Sequence, residues 1–276
     1  MNPTPTFLGI LGVPLSHSLS PVMFRTLLPR WLPGATYHPF ATKPEHLEAF
    51  MKSVQTVGLR GFNVTIPYKE AVIPYLDSLS PDAQEIGAVN CVVVERDGSL
   101  VGHNFDGPAF LATLSGRLPR TNRAVVLGSG GAARAVVWAL DKLGFADIRV
   151  LTRSLGRRQQ RPFPSTKVRF QQYGEAAQRG IVVGADLVVN ATPVGQGELV
   201  DSVPINTRLT QGQLAYDLVY APYPTKWLTS AQDTGAQIFG GLEMLARQGA
   251  LSLEQWLDEE KDIPWQPFLG VLELIR

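Results

Sequence analysis

Residues 124–133 read Ala-Val-Val-Leu-Gly-Ser-Gly-Gly-Ala-Ala, an apolar run that leads directly into a glycine-rich turn. Such a run is typical of a strand buried on both faces of a parallel sheet. In the turn, Gly128 allows a tight bend, Gly130 lets the backbone approach a pyrophosphate, and Ala133 permits close packing of helix on strand. A helix is predicted to follow through Leu140, and its amino end favours negative charge. The stretch therefore predicts a doubly wound α/β domain that binds a dinucleotide.

The end of the next predicted strand indicates which dinucleotide is bound. NAD-dependent enzymes usually place an acidic residue there, where it accepts a hydrogen bond from the ribose 2′-hydroxyl. Here residues 151–154 read Leu-Thr-Arg-Ser, Arg157 and Arg158 follow, and the stretch contains no carboxylate. Guanidinium groups and hydroxyls suit a 2′-phosphate, because they form charge-assisted hydrogen bonds with it. A solvated basic loop is the alternative interpretation, but behind the glycine turn the pattern favours NADP(H).

Short apolar runs alternate with helical patterns along the whole chain, as expected of an α/β architecture. Further runs lie at residues 7–11, 61–66, 88–95, 148–151, 185–190 and 214–220. Ser20-Pro21 is predicted to open a helix, with the serine as N-cap and the proline at the first helical position. From about Asn122 onward the predicted strands become the continuous apolar runs of a parallel sheet. We therefore predict two domains with a boundary around residues 116–120. The helices from Leu242 onward follow the second domain in sequence, and the sequence alone does not say which domain they pack on.

The composition excludes several classes of function. The chain has 276 residues, 45% of them apolar, and a net charge of +1, so no field favours nucleic acid or an anionic membrane. No stretch is long and apolar enough to span a bilayer, the first residues lack a basic leader, and we expect a soluble protein. The four histidines show no metal-ligand spacing, and we predict no metal site. The single cysteine, Cys91, excludes an intrachain disulfide, fits a cytoplasmic location, and is predicted to be an inert core thiol.

Several polar residues in the first half interrupt its apolar runs. Residues 63–69 (Asn-Val-Thr-Ile-Pro-Tyr-Lys) place an amide, a hydroxyl and an ammonium group just past a predicted strand, Asn90 interrupts an apolar stretch, and Asp106 precedes a glycine. Each has a structural explanation, since Asn90 fits a turn, Asp106 a helix cap and Lys69 a surface charge. Together they suit a small, hydroxyl-rich substrate. Lys69 and Asp106 are candidates for the proton-handling pair that hydride transfer to a ketone requires.

A series of motifs, in the same order and along nearly the full length, resembles those of the shikimate dehydrogenase family. They are residues 16–21 (Ser-His-Ser-Leu-Ser-Pro), 63–69, 86–90 (Ile-Gly-Ala-Val-Asn), 104–107 (Asn-Phe-Asp-Gly), 128–133, 190–193 (Asn-Ala-Thr-Pro), 217–220 (Asp-Leu-Val-Tyr) and 241–248 (Gly-Leu-Glu-Met-Leu-Ala-Arg-Gln). The resemblance implies reversible, NADPH-dependent reduction of 3-dehydroshikimate to shikimate, a step toward chorismate and the aromatic amino acids.

The resemblance also implies an architecture. It predicts an N-terminal α/β substrate-binding domain over residues 1–115, which the C-terminal helices of residues 242–276 rejoin. A Rossmann-like, doubly wound parallel-sheet domain over residues 116–241 would bind NADP. The active site is expected in the cleft between the two domains.

The family's functional residues are carried over position by position. Lys69 and Asp106 resemble the catalytic pair. The substrate contacts implied are Ser16, Ser18, Thr65, Asn90, Tyr220 and Gln248. The cofactor contacts implied are Gly128, Ser129, Gly130, Gly131, Ala132, Ala133, Thr152, Arg153, Ser154, Arg157, Thr192, Leu218 and Gly241.

The hydroxyls of residues 16–20 have three possible roles. A nucleophilic serine would need a paired base and normally a strained turn such as GxSxG, and neither is visible here. A metal site would need more than one histidine within reach. Ser16 and Ser18 therefore remain as donors to the substrate carboxylate. The alternative, a polar turn that caps a helix, is satisfied by Ser20 alone.

The chain departs from the family pattern in three places, which keeps other functions open. Phe24-Arg25 stand where His-Asn is usual, Phe105 stands where threonine is common, and Thr152 replaces an asparagine. Phe105 lies next to the catalytic aspartate and can alter which ring hydroxyls are accepted, whereas Thr152 can weaken the preference for NADP. A dual quinate/shikimate dehydrogenase is the first alternative, and a non-catalytic NADP-sensing module is the second. No motif encodes the oligomeric state, and monomer and homodimer are both open.

Overall fold

The computed structural model describes residues 6–118, 121–153, 155, 162–174, 180–257 and 262–276, and contains two six-stranded sheets. Ser154, Arg157 and Arg158, which were singled out from the sequence, lie outside these ranges. The described residues divide into two compact units, the first formed by residues 6–106 and 245–275 and the second by residues 107–244. The first unit passes into the second between Asp106 and Gly107, at the start of a helix. No helix in the described ranges has the length and apolar character needed to cross a bilayer.

The first unit is built on a mixed sheet. Its strands are β1 (Phe7–Gly12), β2 (Thr36–Ala41), β3 (Leu59–Val64), β4 (Ser78–Leu79), β5 (Cys91–Val94) and β6 (Leu100–His103), in the order β2-β1-β3-β5-β6-β4. Strands β1, β2 and β3 are parallel, whereas β5 runs antiparallel to both of its neighbours, β3 and β6. The helices that follow these strands are α1 (Ser20–Trp31), α2 (Leu47–Val57) and α3 (Pro81–Ile86).

Helix α2 shows how the apolar pattern fixes the packing of this unit. Leu47, Met51 and Val54 recur at helical spacing and are buried in one core with Phe62 of β3. The helix ends at Gly58, whose φ of 74° is left-handed and favours glycine. The apolar side of this helix therefore covers one face of the sheet.

The second unit contains a wholly parallel sheet. Its strands are β7 (Arg123–Leu127), β8 (Asp147–Thr152), β9 (Val168–Gln172), β10 (Leu187–Asn190), β11 (Leu214–Asp217) and β12 (Gln237–Gly240), in the order β9-β8-β7-β10-β11-β12. The order reverses between β7 and β10, as in dinucleotide-binding folds. Its helices are α4 (Asp106–Leu114), α5 (Gly131–Lys142), α6 (Lys226–Asp233) and the start of α7 (Leu242–Trp256). The prediction of a doubly wound α/β fold is confirmed.

The C-terminal helices pack on the first unit. Trp256 of α7 lies 5.4 Å from the ring of Phe24 in α1, and Phe268 of α8 (Gln266–Ile275) stacks on Trp31 at 5.7 Å. Phe24 also stacks on Tyr37 of β2 at 4.5 Å. Phe24, one of the departures from the family pattern, is therefore a core residue that holds the returning helices.

Several predicted element ends are wrong by a few residues. Ser20 is not the cap of α1, because Leu19 already has helical angles (φ −80°, ψ −13°) and takes the capping position without a side-chain hydrogen bond. Strand β3 ends at Val64 instead of residue 66, and β5 begins at Cys91 instead of residue 88. Thr65 and Asn90 therefore lie just outside β3 and β5, in loops where their side chains can form their own hydrogen bonds.

Candidate active site

The predicted substrate residues lie at one end of the first sheet, where the parallel strands β1 and β3 terminate. We refer to this end of the sheet as its edge. Ser16 and Ser18 follow β1, and Thr65 and Lys69 follow the parallel strand β3. Because β5 is antiparallel, its amino end lies at that same edge, and Cys91 pairs with Asn63 of β3 and with His103 of β6. Asn90 and Asp106 therefore reach the edge from the other two strands.

The centre of this edge is an ion pair between Lys69 and Asp106. The Lys69 ammonium donates to Oδ2 of Asp106, and the two side chains are only 15% and 7% exposed. The other carboxylate oxygen, Oδ1, accepts from Nδ2 of Asn90 at 3.0 Å. Both oxygens of the carboxylate thus have donors, which fixes its plane. An ammonium group has three N–H bonds, so the bond to Asp106 leaves donors that can face a substrate oxygen.

Asn90 connects this pair to the rest of the edge. Its Oδ1 accepts from the backbone N–H of Phe105 at 2.7 Å, and its Nδ2 lies 3.2 Å from Oε1 of Gln248 in α7. Lys69 is held through its backbone, because its carbonyl accepts from the N–H of Val89 at 2.7 Å. The structure therefore brings Lys69, Asp106, Asn90 and Gln248 into one hydrogen-bonded group. Ser16, Ser18 and Thr65 share the sheet edge, and Tyr220 belongs to the second unit.

A second layer of buried polar residues supports Asn90 and was not assigned from the sequence. Asn63 donates to Oγ of Ser252 at 2.9 Å and accepts from the hydroxyl of Tyr37 at 2.8 Å. Ser252 in turn donates to the carbonyl of Gln248 at 2.8 Å. Burial raises the pKa of Tyr37 well above its ordinary value. The only sequence signal for this layer was the amide of Asn63 inside a strand pattern.

Phe105, where the family usually has threonine, lies beside Asp106. Its ring stacks on the imidazole of His103 with 5.5 Å between centroids, and burial lowers the pKa of that histidine. An aromatic ring here offers no hydroxyl to a substrate. Its backbone N–H nevertheless keeps the Asn90 carboxamide in place.

The carboxyl edge of the second sheet collects the predicted cofactor residues. Gly128 has a φ of 101°, and a β-carbon there would lie 2.9 Å from Cγ2 of Thr192 and 3.0 Å from the carbonyl of Ala191. A β-carbon on Gly241 would lie 2.2 Å from the carbonyl of Leu218. Ser129 and Thr152 share a hydrogen bond of 2.8 Å. The turn after β7 is thus packed against the loop after β10.

The glycine turn fits a pyrophosphate. A β-carbon on Gly130 would meet no atom within 4 Å, so the space beside the turn is open. Helix α5 begins there without a side-chain cap and without an acidic residue in its first turn, so its N–H groups can donate hydrogen bonds to an anion. Gly131, Ala132 and Ala133 form that first turn, and the exposed Arg153 follows β8. These donors match the chemistry of a phosphorylated dinucleotide.

Comparison with known proteins identifies the family. Residues 10–92 match the model of the shikimate dehydrogenase substrate binding domain. The chain is 41% identical to the NADP(+) shikimate dehydrogenase of Nostoc sp. over 268 residues, which are 93% of this chain and 92% of that protein.

The chain belongs to the shikimate dehydrogenase family.

Solved structures of the family share the fold. Shikimate 5-dehydrogenase from Thermus thermophilus, in complex with NADP(H) and shikimate, is 34% identical with a TM-score of 0.80, over 98% of this chain and 99% of that one. Quinate dehydrogenase from Corynebacterium glutamicum, in complex with NAD, is 25% identical with a TM-score of 0.85, over 98% and 99%. Both substrates and both cofactors therefore occur among proteins with this fold.

Proposed function

We propose that this chain is an NADP-dependent oxidoreductase that reversibly reduces 3-dehydroshikimate to shikimate, within chorismate and aromatic amino acid biosynthesis. The observation that carries the proposal is the Lys69–Asp106 ion pair, buried at a sheet edge and fixed by Asn90. The relatives that are 34–41% identical over most of the chain carry the name shikimate dehydrogenase (NADP(+)) and support this assignment.

The proton-handling step follows from the chemistry of the pair. The bound cofactor supplies a hydride to the carbonyl carbon of the substrate. The carbonyl oxygen then develops negative charge, and the Lys69 ammonium stabilises it and donates a proton. In the reverse direction the neutral amine accepts a proton from the hydroxyl. Asp106 keeps the lysine side chain aimed at one place, because its second oxygen is held by Asn90.

The remaining polar residues of the edge suit the rest of a hydroxylated ring acid. Ser16 and Ser18 are proposed to donate to the carboxylate, and Thr65 and Gln248 to bind ring hydroxyls. The carboxamide of Gln248 already has one acceptor, since Nε2 donates to the carbonyl of Leu245 at 2.8 Å. Its remaining N–H can serve a substrate, as can the second lone pair of the oxygen that already accepts from Asn90. Tyr220 completes the proposed set.

NADP(H) is the proposed cofactor because the sequence after β8 carries a cationic side chain and no carboxylate. Arg153 is exposed there, and Ser154 and Arg157 are proposed to complete a clamp for the 2′-phosphate. The Rossmann-like unit is proposed to bind this cofactor and the first unit to bind the substrate. Gly128 to Ala133 cover the pyrophosphate in this proposal, and Thr192, Leu218 and Gly241 approach the rest of the molecule.

A dual quinate/shikimate dehydrogenase is the second candidate. The similarity to quinate dehydrogenase favours it, as does Phe105, which removes a hydroxyl next to Asp106. Quinate carries an additional hydroxyl on the ring carbon that bears the carboxylate, so it needs more room at the serines. A non-catalytic NADP sensor would not need a buried proton-handling pair.

The test is the loss of NADPH absorbance with 3-dehydroshikimate, for the wild type and for Lys69→Ala. We expect the turnover number to fall by about 10²–10⁴-fold in the variant, with little change in the Michaelis constant for substrate. Lys52→Ala is the matched control, because Lys52 is an exposed lysine of the same unit that pairs with Glu48. Near-normal turnover in Lys69→Ala would remove the lysine from the mechanism. Faster oxidation of quinate with NAD than of shikimate with NADP would favour the second candidate.

We further propose a cytoplasmic location, supported by the single buried thiol of Cys91, which makes no disulfide.

The sequence leaves monomer and homodimer open. Light scattering coupled to gel filtration distinguishes the two states, and a mass of 30.1 kDa would exclude the dimer.

A further inference from the structure

A buried carboxylate lies at the carboxyl end of the second sheet, outside the residues assigned above. Asp217 is the last residue of β11 and is fully buried. Its Oδ1 accepts from Nδ2 of Asn190 at 2.8 Å and from the N–H of Val219 at 3.0 Å, and its Oδ2 accepts from the hydroxyl of Thr225 at 2.8 Å. In the described part of the chain, no lysine or arginine forms an ion pair with this carboxylate. Among the described residues, its hydrogen-bond partners are neutral donors from three segments.

The first segment is the loop after β10, which Asn190 controls. Asn190 pairs with Asp217 across the two parallel strands and is itself fully buried. Its Oδ1 accepts from both the N–H and the hydroxyl of Thr192, at 3.0 and 2.6 Å, and its Nδ2 also donates to the carbonyl of Val194 at 2.9 Å. Because Asp217 accepts from Nδ2, the carboxamide cannot turn over, and its oxygen must face Thr192.

The other two segments are the loop after β11 and the start of α6. The N–H of Val219 binds the carboxylate, which fixes the backbone between Leu218 and Tyr220. Thr225 caps α6 by accepting from the N–H of Leu228, and its hydroxyl hydrogen is directed to Asp217. One side chain therefore joins both loops that carry proposed cofactor contacts.

We propose that Asp217 is a positioning residue of the cofactor site, which holds the loops after β10 and β11 so that Thr192 stays against Gly128 and Leu218 against Gly241. The inference rests on the proposed function, because the cofactor is what these loops would bind. Asp217 acts through Asn190 and the backbone of Val219, and it is not placed in contact with the cofactor.

The chemistry of the carboxylate explains why this residue type is used. Donors converge on it from three segments, and a carboxylate is acceptor-only, with two oxygens to receive them. Burial without a cation is costly, and it raises the pKa of Asp217 to about 6. A leucine, which has the same branched shape but a larger volume, would avoid that cost and would serve a purely structural core. It would release the carboxamide of Asn190 and the N–H of Val219.

The experiment is titration calorimetry of NADP⁺ with folded wild type, Asp217→Leu and Asp217→Asn. We expect Asp217→Leu to raise the dissociation constant by about tenfold or more, since misplacing a binding group by about 1 Å has effects of that size. Asp217→Asn should restore affinity to within about twofold, because its oxygen can accept from Asn190 and Val219 while its amide donates to Thr225. In steady-state assays the Michaelis constant for NADPH should rise in Asp217→Leu, and by more than that for 3-dehydroshikimate, since Tyr220 is the only proposed substrate contact on these loops.

The matched control is Gln213→Leu, at the residue that precedes the opposite end of the same strand. Gln213 is buried, and its side-chain amide donates to the carbonyls of Val182 and Ala185 at 2.7 and 2.8 Å. Its loss should reduce stability without changing the affinity for NADP⁺. This separates a positioning role from general damage to the sheet.

Asn190→Ala provides a second route, which serves if Asp217→Leu does not fold. It should also raise the dissociation constant by about tenfold, and together with Asp217→Leu the effects should be less than additive. Wild-type affinity in a folded Asp217→Leu or Asn190→Ala protein would overturn the positioning role and leave the proposed function intact. Failure of the wild type itself to bind NADP⁺ or NADPH would overturn the proposed function, and this inference with it.

Discussion

Replacing Asp217 with asparagine should raise the free energy of unfolding at neutral pH, although it removes a buried, fully hydrogen-bonded side chain. Desolvation by burial raises the pKa of this carboxyl from 3.8 to about 6, against the opposing effects of the hydrogen bonds from Thr225, Val219 and Asn190. Ionisation of the carboxyl in the folded protein therefore lowers the free energy of unfolding. The neutral amide has the same shape and can keep the same partners if the hydroxyl of Thr225 turns to accept.

The size and sign of the effect follow from the two pKa values. Below pH 3.8 the carboxyl is protonated in both states, and the folded state keeps its full stability. As the pH rises to about 6, the unfolded chain releases the proton while the folded protein retains it, so stability is lost across this window. Roughly two pH units at about 1.4 kcal/mol each give a loss of about 3 kcal/mol. Above about pH 6 both states are ionised and the loss is complete. Asp217→Asn does not lose this unfolding free energy, because its amide does not ionise.

The assay is urea unfolding followed by tryptophan fluorescence between about pH 4 and pH 8. The wild type and Asp217→Asn should have similar unfolding free energies near pH 4, and the variant should be more stable by about 3 kcal/mol at pH 7. Asp201→Asn is the control, because Asp201 is an exposed carboxyl whose pKa is lowered by its hydrogen bond to Lys226. Parallel pH curves for the wild type and Asp217→Asn, or a less stable variant at pH 7, would refute the claim that burial of this charge opposes folding.

Three further predictions concern other residues. The thiol of Cys91 is fully buried and its pKa is raised to about 12 by burial, so iodoacetamide at pH 8 should label it only after unfolding; rapid labelling of native protein would contradict this. Gly130→Ala should cost at most about 1 kcal/mol of stability, because the added methyl group meets open space. It should nevertheless raise the dissociation constant for NADP⁺, measured by calorimetry. Unchanged affinity would exclude close approach of the pyrophosphate to this residue. Arg153→Ala should raise the Michaelis constant for NADPH by about tenfold and leave that for NADH nearly unchanged, whereas equal changes for both would remove the arginine from the 2′-phosphate site.

The sequence predicts the inner strands of the parallel sheet well and its edges poorly. Strands β7, β10 and β11 are nearly continuous apolar runs, as expected of strands covered on both faces, and in β8 only Arg149 interrupts the apolar run of residues 148–151. Strands β2 and β9 lie at sheet edges, are only partly buried, and mix polar with apolar residues. Pro39 stands inside β2, which only an edge position tolerates. These edge strands gave no pattern strong enough to predict them.

The hydrogen-bonded site was predictable only in part, because its partners are far apart in sequence. Asn90 meets Gln248 across 158 residues, and no local periodicity encodes such a contact. The resemblance to the family supplied those positions. Asn63, Asn190 and Asp217 were motif letters without a role, since a buried amide or carboxylate gains its meaning only from the donors and acceptors that the fold brings to it.

The two sheets use asparagine in the same way where strands end and backbone pairing stops. Asn90 and Asn190 each accept a backbone N–H from the adjoining loop with Oδ1, and each donates from Nδ2 to a buried carboxylate, Asp106 in one sheet and Asp217 in the other. The carboxylate determines the orientation of the amide, because a reversed carboxamide would place oxygen against oxygen. The amide then determines the path of the loop. An aspartate at either position would bring two carboxylates together and lose this control, so the carboxamide can be replaced neither by its charged isostere nor by an apolar residue without releasing the loop.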